Sequence, residues 1–143
     1  MITEILMCAA IITAPTCAAN SPDALDWKGY EPSMYQGQHY HSKWAQVRKC
    51  IMHRESRYNY RARSTISTAS GAYQFLDSKW RVSLTYMMIQ ESRATKDGLI
   101  TEIKALRNKP IQTWNRYYQD RAFYTAWDNG RGANHWSQTR HGC

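Results

Sequence analysis

The sequence predicts a mostly helical α+β fold with one small β element after the first helix of the domain. Three observations lead there. Apolar residues recur at helical spacing over 42–55, 77–91, 99–106 and 110–127. A Ser/Thr-rich segment, 57–75, interrupts that periodicity. Turn chemistry at Gly71, Pro110 and Asp128-Asn129-Gly130 marks the boundaries. A chain of 143 residues with 43% hydrophobic content is one domain with a real core, which excludes a disordered chain.

The elements follow in order. Residues 5–19, ILMCAAIITAPTCAA, are almost all apolar or small and too short for a stable membrane span. They read as a secretory signal with a small-residue cleavage context before Asn20, without the usual basic start. A retained apolar arm or a piece of the core are the alternatives for 1–19. Residues 20–41 form a leader with Pro22, Gly29, Pro32 and Gly37, and its Trp27, Tyr30, Met34 and Tyr35 pack it on the domain. The domain itself spans 42–143.

Its first helix runs over 42–55, with Ser42 as N-cap and Trp44, Val47, Cys50 and Ile51 on one face. Ser64, Thr65, Ser67, Thr68 and Ser70 favour a loop or short strands, and 71–75 closes a hairpin or leads into the next helix. Asp77 or Ser78 caps a helix to about Glu91 with Trp80, Leu84, Met87 and Met88 inward. A short helix covers 99–106. Pro110 suits the first turn of a helix reaching Trp127, which Asp128-Asn129-Gly130 ends. The last dozen residues are loop or a single turn.

Composition narrows the function. The formal charge of +8 favours a polyanionic partner. The basic residues are scattered with no run of five, so a specific nucleic-acid partner is not indicated. Ten Tyr and six Trp suit sugar rings, which have an apolar face and many hydroxyls. Cleavage after Ala19 would remove Cys8 and Cys17 and leave Cys50 and Cys143 to form a disulfide, worth about 4 kcal/mol by chain entropy. The alternative is four reduced thiols. No Cys-x-x-Cys occurs, and His39 and His41 read as a solvated pair, so no metal or other cofactor is expected.

The segment of greatest chemical interest is Glu55 to Phe75. It sets one carboxylate at a helix end beside a polar loop. A glycosidic bond breaks when a carboxylic acid protonates its oxygen. A free Glu titrates at about 4.3. Partial burial and the negative end of a helix both favour the protonated form, while Arg54 and Arg57 oppose it unless they point away. Residues 56–76 hold no other acid. Two-carboxylate hydrolysis needs a second one, for which Asp77 and Asp128 are the nearby candidates.

Glu55-Ser56, Ala62-Arg63-Ser64 and Ala69-Ser70-Gly71-Ala72-Tyr73-Gln74 resemble the lytic transglycosylase branch of the lysozyme superfamily. That family shows Glu-Ser, Ala-x-Ser and Gly-Ala-x-Gly-Leu-Met-Gln in this order. Ala126-Trp127-Asp128-Asn129-Gly130 is similar to its later Ala-Tyr-Asn-x-Gly motif, and Trp136 sits where such domains often carry an aromatic. The similarity covers residues 42–137. It departs from the family in one extra residue between Ser64 and Ala69 and in Ala72-Tyr73 for Leu-Met.

The resemblance implies a lysozyme-like fold and cleavage of the MurNAc-GlcNAc β-1,4 bond of peptidoglycan with Glu55 as the catalytic acid and base, leaving 1,6-anhydro-muramic ends. Ser64, Tyr73, Gln74, Tyr124, Trp127 and Asn129 are the implied substrate-binding residues. Ser64 and Gln74 read alternatively as loop-formers, and Tyr124 and Trp127 as core. The implied partners are glycan strands, plus other virion proteins if the enzyme is phage-borne, and the implied location is extracytoplasmic or a phage virion. A two-carboxylate lysozyme and an inactive wall-binding or virion structural module remain as alternatives.

Overall fold

The computed structural model describes residues 19–27, 29–136 and 142–143. Apart from Ala19, the apolar N-terminal segment lies outside the described residues, and so do Cys8 and Cys17. Helices dominate, joined by one two-stranded antiparallel sheet.

The leader opens with α1 (Pro22–Leu25). Ser21 Oγ accepts the Ala24 N–H at 3.2 Å, and Pro22 occupies the first helical position. A 3-10 turn at Ser42–Trp44 leads into α2 (Ala45–Ser56). Ser42 is not the cap: the turn follows His41, and no side chain bonds its first amides. Residue Arg57, at φ 53°, ends α2, and its N–H returns to His53 O.

The hairpin pairs β1 (Ala69–Ser70) with β2 (Phe75–Leu76), Ala69 opposite Leu76 and Ser70 opposite Phe75. Gly71 (φ 81°) and Gln74 (φ 50°) take left-handed backbone in its turn. A Cβ on Gly71 would meet Gln119 Oε1 at 2.5 Å, so the turn packs tightly on the domain.

Helix α3 (Asp77–Thr95) runs four residues beyond the expected end at Glu91. Glu91 is buried against Arg121, so its charge does not mark a solvated terminus. Neither Asp77 nor Ser78 caps it: the N-cap is Leu76, and Asp77 is the first helical residue. Leu84 and Met88 are buried, whereas Trp80 and Met87 are half-buried. Helix α4 (Ile100–Leu106) follows. The expected helix from Pro110 is two pieces. A 3-10 turn at Ile111–Thr113 breaks at the extended Trp114, and Asn115 Oδ1 then accepts the Tyr118 N–H at 3.1 Å to start α5 (Arg116–Trp127).

All twelve residues of α5 are buried, although four of them are Arg116, Gln119, Asp120 and Arg121. Burial of such groups requires partners, and each one fastens a neighbouring element. Asp120 accepts from Tyr60 Oη and Tyr73 Oη, each at 2.6 Å, and from Met34 N at 2.9 Å, with Arg48 Nη1 at 3.4 Å. Arg121 pairs with Glu91 at 2.9 Å and Asp97 at 3.0 Å. Gln119 Nε2 donates to Tyr60 O and Trp114 O, while its Oε1 accepts the Ala72 N–H. Arg116 donates to Pro32 O at 3.0 Å. One helix thus bolts together the leader, α2, the hairpin and α3.

The leader is part of this core. Tyr35 is buried, its hydroxyl bonded to Glu91. Tyr30 stacks on Tyr58 at 3.9 Å between centroids, and Arg61 lies over Trp27. At the other end, Cys143 is disulfide-bonded to Cys50 of α2, 93 residues away. That pins the tail to the helix carrying Glu55.

Candidate active site

Glu55 is the penultimate residue of α2 and is half-buried. It follows Ile51 by four residues and Arg48 by seven, so all three lie on one helical face. Ile51 and Arg48 are buried, so Glu55 continues the inward face of α2 to its end. Arg54 and Arg57 are exposed. The Arg54 guanidinium lies along the disulfide-held tail, where a Cβ on Gly142 would be 3.1 Å from its Nη2.

The helix end is joined to the hairpin turn. Ser56 Oγ donates to Ala72 O at 2.8 Å and lies 3.2 Å from Met52 O, and it accepts the Asn59 N–H at 3.1 Å. Gln74 Nε2 donates to Gly71 O at 2.9 Å and reaches Ala62 O at 3.5 Å. Gln74 therefore braces the loop beside the helix end. Ser64 Oγ accepts the N–H groups of Ile66 and Ser67, and Ser64 N donates to Ala69 O at 2.9 Å. Its hydroxyl shapes the 64–69 loop.

Three of the aromatic candidates are core residues in this structure. Tyr73 is 1% exposed, held by Asp120 and Arg48 and stacked on Phe123 at 4.8 Å. No face of it is left for a sugar ring. Burial, first among several causes, pushes its hydroxyl well above the usual tyrosine range. Trp127 is buried among Trp44, Phe123 and Trp136. Tyr124 is buried edge-on to Tyr40. Ala72 and Tyr73 thus belong to the core beneath the hairpin, where the Tyr73 hydroxyl reaches the buried Asp120.

Asn129 is exposed, and its Oδ1 accepts the Trp44 indole N–H at 2.8 Å. Trp44 precedes Glu55 by eleven residues, about 16 Å along the axis at 1.5 Å per residue. The 127–130 turn therefore sits at the N-terminal end of α2, opposite Glu55. The two motifs are brought to the same helix and to different ends of it.

Both candidates for a second catalytic carboxylate are already paired. Asp77 bonds Arg81 through both oxygens and accepts the Ile111 N–H at 2.8 Å. Asp128 pairs with Arg131, and hydrogen bonds from that guanidinium hold its carboxyl below the usual carboxylate range. Among the described residues, no group of three or more His, Cys, Asp or Glu is placed to hold a metal ion.

Two hollows lie elsewhere. A groove of about 580 Å³ runs between α3 and the end of α5, lined by Trp80, Gln90, Thr125, Asp128, Arg131 and His135 among others. The His135 ring stands perpendicular to Trp80 at 4.4 Å. Burial, then the nearby Lys79 charge, lowers its pKa. Asp128, a candidate second acid, lines this groove, whereas Glu55 and the implied substrate-binding residues do not. A second hollow, of about 390 Å³, contains Arg48 and Tyr40. Sequence reading missed both; the signal for Arg48 is a charge set between Trp44 and Ile51 on the inward face of α2. No family model, curated protein or solved structure matches the chain.

Proposed function

We propose that the chain is a peptidoglycan lytic transglycosylase of lysozyme-like fold, with Glu55 as its single acid and base. One observation carries this reading. Glu55 is a half-buried carboxylate closing the inward face of α2, while both candidates for a second acid that the sequence offers are tied up in ion pairs. Glu55 would donate its proton to the glycosidic oxygen between N-acetylmuramic acid and N-acetylglucosamine. The muramic C6 hydroxyl would then attack C1 while Glu55 takes up the hydroxyl proton. The leaving sugar departs with the first proton, and no water enters the product.

Three further features support the reading. The Ser56–Ala72 and Gln74–Gly71 bonds keep the carboxylate-bearing helix end and the hairpin turn in fixed relation. A positive net charge favours an anionic wall polymer. The Cys50–Cys143 disulfide suits an extracytoplasmic or virion setting. Mass spectrometry of purified peptidoglycan after incubation with the protein tests the proposal. Anhydro-muropeptides are expected. Reducing muramic ends would mean hydrolysis, and no soluble product would mean a wall-binding module.

A further inference from the structure

A third, smaller hollow of about 200 Å³ lies where the 63–70 segment, the start of α3 and the 3-10 turn at Ile111–Thr113 meet. Its walls include Arg63, Ser67, Ser70, Asp77, Arg81 and Gln112. It is smaller than a typical site for a drug-sized ligand and suits one compact polar group.

The hydrogen bonds already made decide what that group must be. Ser70 Oγ accepts the Gln112 N–H at 2.8 Å and donates to Gln112 Oε1. The side-chain oxygen of Gln112 is therefore used, and its Nε2, on a half-buried residue, keeps its protons to donate. Ser67 Oγ accepts the Ala69 N–H at 3.2 Å, which leaves its hydroxyl proton. Thr68 Oγ1 is shared with Ser78. Arg81 gives its Nε–H and one Nη2–H to Asp77, and its Nη1 reaches Arg107 O at 3.4 Å. One N–H on each terminal nitrogen remains. Asp77 is the one acid in the walls, and it is saturated by Arg81 and by the Ile111 N–H at 2.8 Å. Arg63 is exposed and is ion-paired with no described residue. Its backbone is held in place by the antiparallel bridge to Ser70. Two guanidinium charges thus stand against one carboxylate, and the side-chain groups left over are donors.

We propose that this hollow binds a phosphoryl group, with Arg63 as its principal charge and Gln112 Nε2, Ser67 Oγ and the remaining Arg81 N–H groups as further donors. Guanidinium-to-phosphate bonds are charge-assisted and strong. Donors arriving from three separate elements suit a tetrahedral oxyanion better than a planar carboxylate. Glu55 is not among the walls, and the site does not depend on Glu55 being catalytic.

The test uses the full ¹⁵N-labelled chain and follows the Gln112 side-chain amide at constant ionic strength. The probes are inorganic phosphate, dimethyl phosphate and acetate, each titrated separately. A saturable shift is expected with at least one phosphate probe. Response to dimethyl phosphate assigns a phosphodiester, as in a phosphate-linked polymer, and response to inorganic phosphate alone assigns a free or terminal phosphate. Arg63→Gln should weaken binding at least about tenfold through loss of a charge-assisted bond. Gln112→Glu, which keeps the oxygen that Ser70 bonds and replaces the donor by a charge, should weaken it at least as much. Arg93→Gln, an equal loss of charge in the last turn of α3, should bind like the parent. An amide unmoved by both phosphates, acetate binding as tightly as either, parental affinity in Arg63→Gln or Gln112→Glu, or equal weakening by Arg93→Gln overturns the proposal.

Discussion

Asp120→Asn tests the central helix most sharply. Asp120 is 0% exposed. Its Oδ1 accepts from Tyr60 and Tyr73 and faces Arg48, and its Oδ2 accepts from Met34 N and, at 3.5 Å, from Ser33 Oγ. An amide has nearly the same shape, but whichever oxygen becomes NH₂ then points a donor at donors. The buried Arg48 also loses its carboxylate partner. Removing one member of a buried pair costs about 3–5 kcal/mol, a large part of a typical stability of about 5–15 kcal/mol. For a domain of this size that lowers Tm by roughly 10–20 °C. Calorimetry of Asp120→Asn, Arg48→Met and the double variant gives the coupling. The double variant should be less destabilised than the sum by at least about 1 kcal/mol. A loss below about 1 kcal/mol for Asp120→Asn, or strict additivity, would refute the view that Asp120 joins the leader, α2 and the hairpin.

Further outcomes follow from the same core. Burial, first among the causes, raises the pKa of Tyr35, Tyr60, Tyr73, Tyr117, Tyr118 and Tyr124, with Tyr117 and Tyr124 at about 12. The native state therefore keeps protons that the unfolded state releases near pH 10. Stability is full below that pH and falls above it, approaching about 1.4 kcal/mol per pH unit for each such residue. Tyrosinate absorbance should show these six ionising only as the chain unfolds; a smooth titration of all ten near pH 10 in the folded protein would contradict this. Cys143→Ser should cost about 4–5 kcal/mol, because Cys50–Cys143 closes a separation of 93 residues; chemical denaturation of the variant reads it, and an unchanged midpoint counts against the linkage. Gly132→Ala should destabilise by at least about 1–3 kcal/mol, since its Cβ would fall 1.7 Å from Ala126 O; thermal melting checks it.

Much of the secondary structure is legible because local signals carry it. The α2 and α4 ranges follow from apolar spacing, and the hairpin at 69–76 follows from a polar run closed by Gly71. The Cys50–Cys143 pairing follows from counting. Misreadings concentrate where a polar residue has a distant partner. Glu91 reads as the approximate end of a helix, but Arg121 pairs with it from 30 positions away and α3 continues to Thr95. Asp77 reads as a cap but is claimed by Arg81 and Ile111. Tyr73 reads as a sugar platform because Tyr suits that role, yet Asp120, 47 positions away, draws it inward. Asn129 is an implied substrate-binding residue, yet the Trp44 indole holds it at the end of α2 away from Glu55.

The most direct measurement compares muropeptides released from purified peptidoglycan by the parent and by Glu55→Gln at equal concentration, with circular dichroism confirming the fold of both. Glu55 as sole acid and base predicts 1,6-anhydro products from the parent and at least a hundredfold less from the variant, the low end of general acid–base catalysis. Equal release by Glu55→Gln would contradict it.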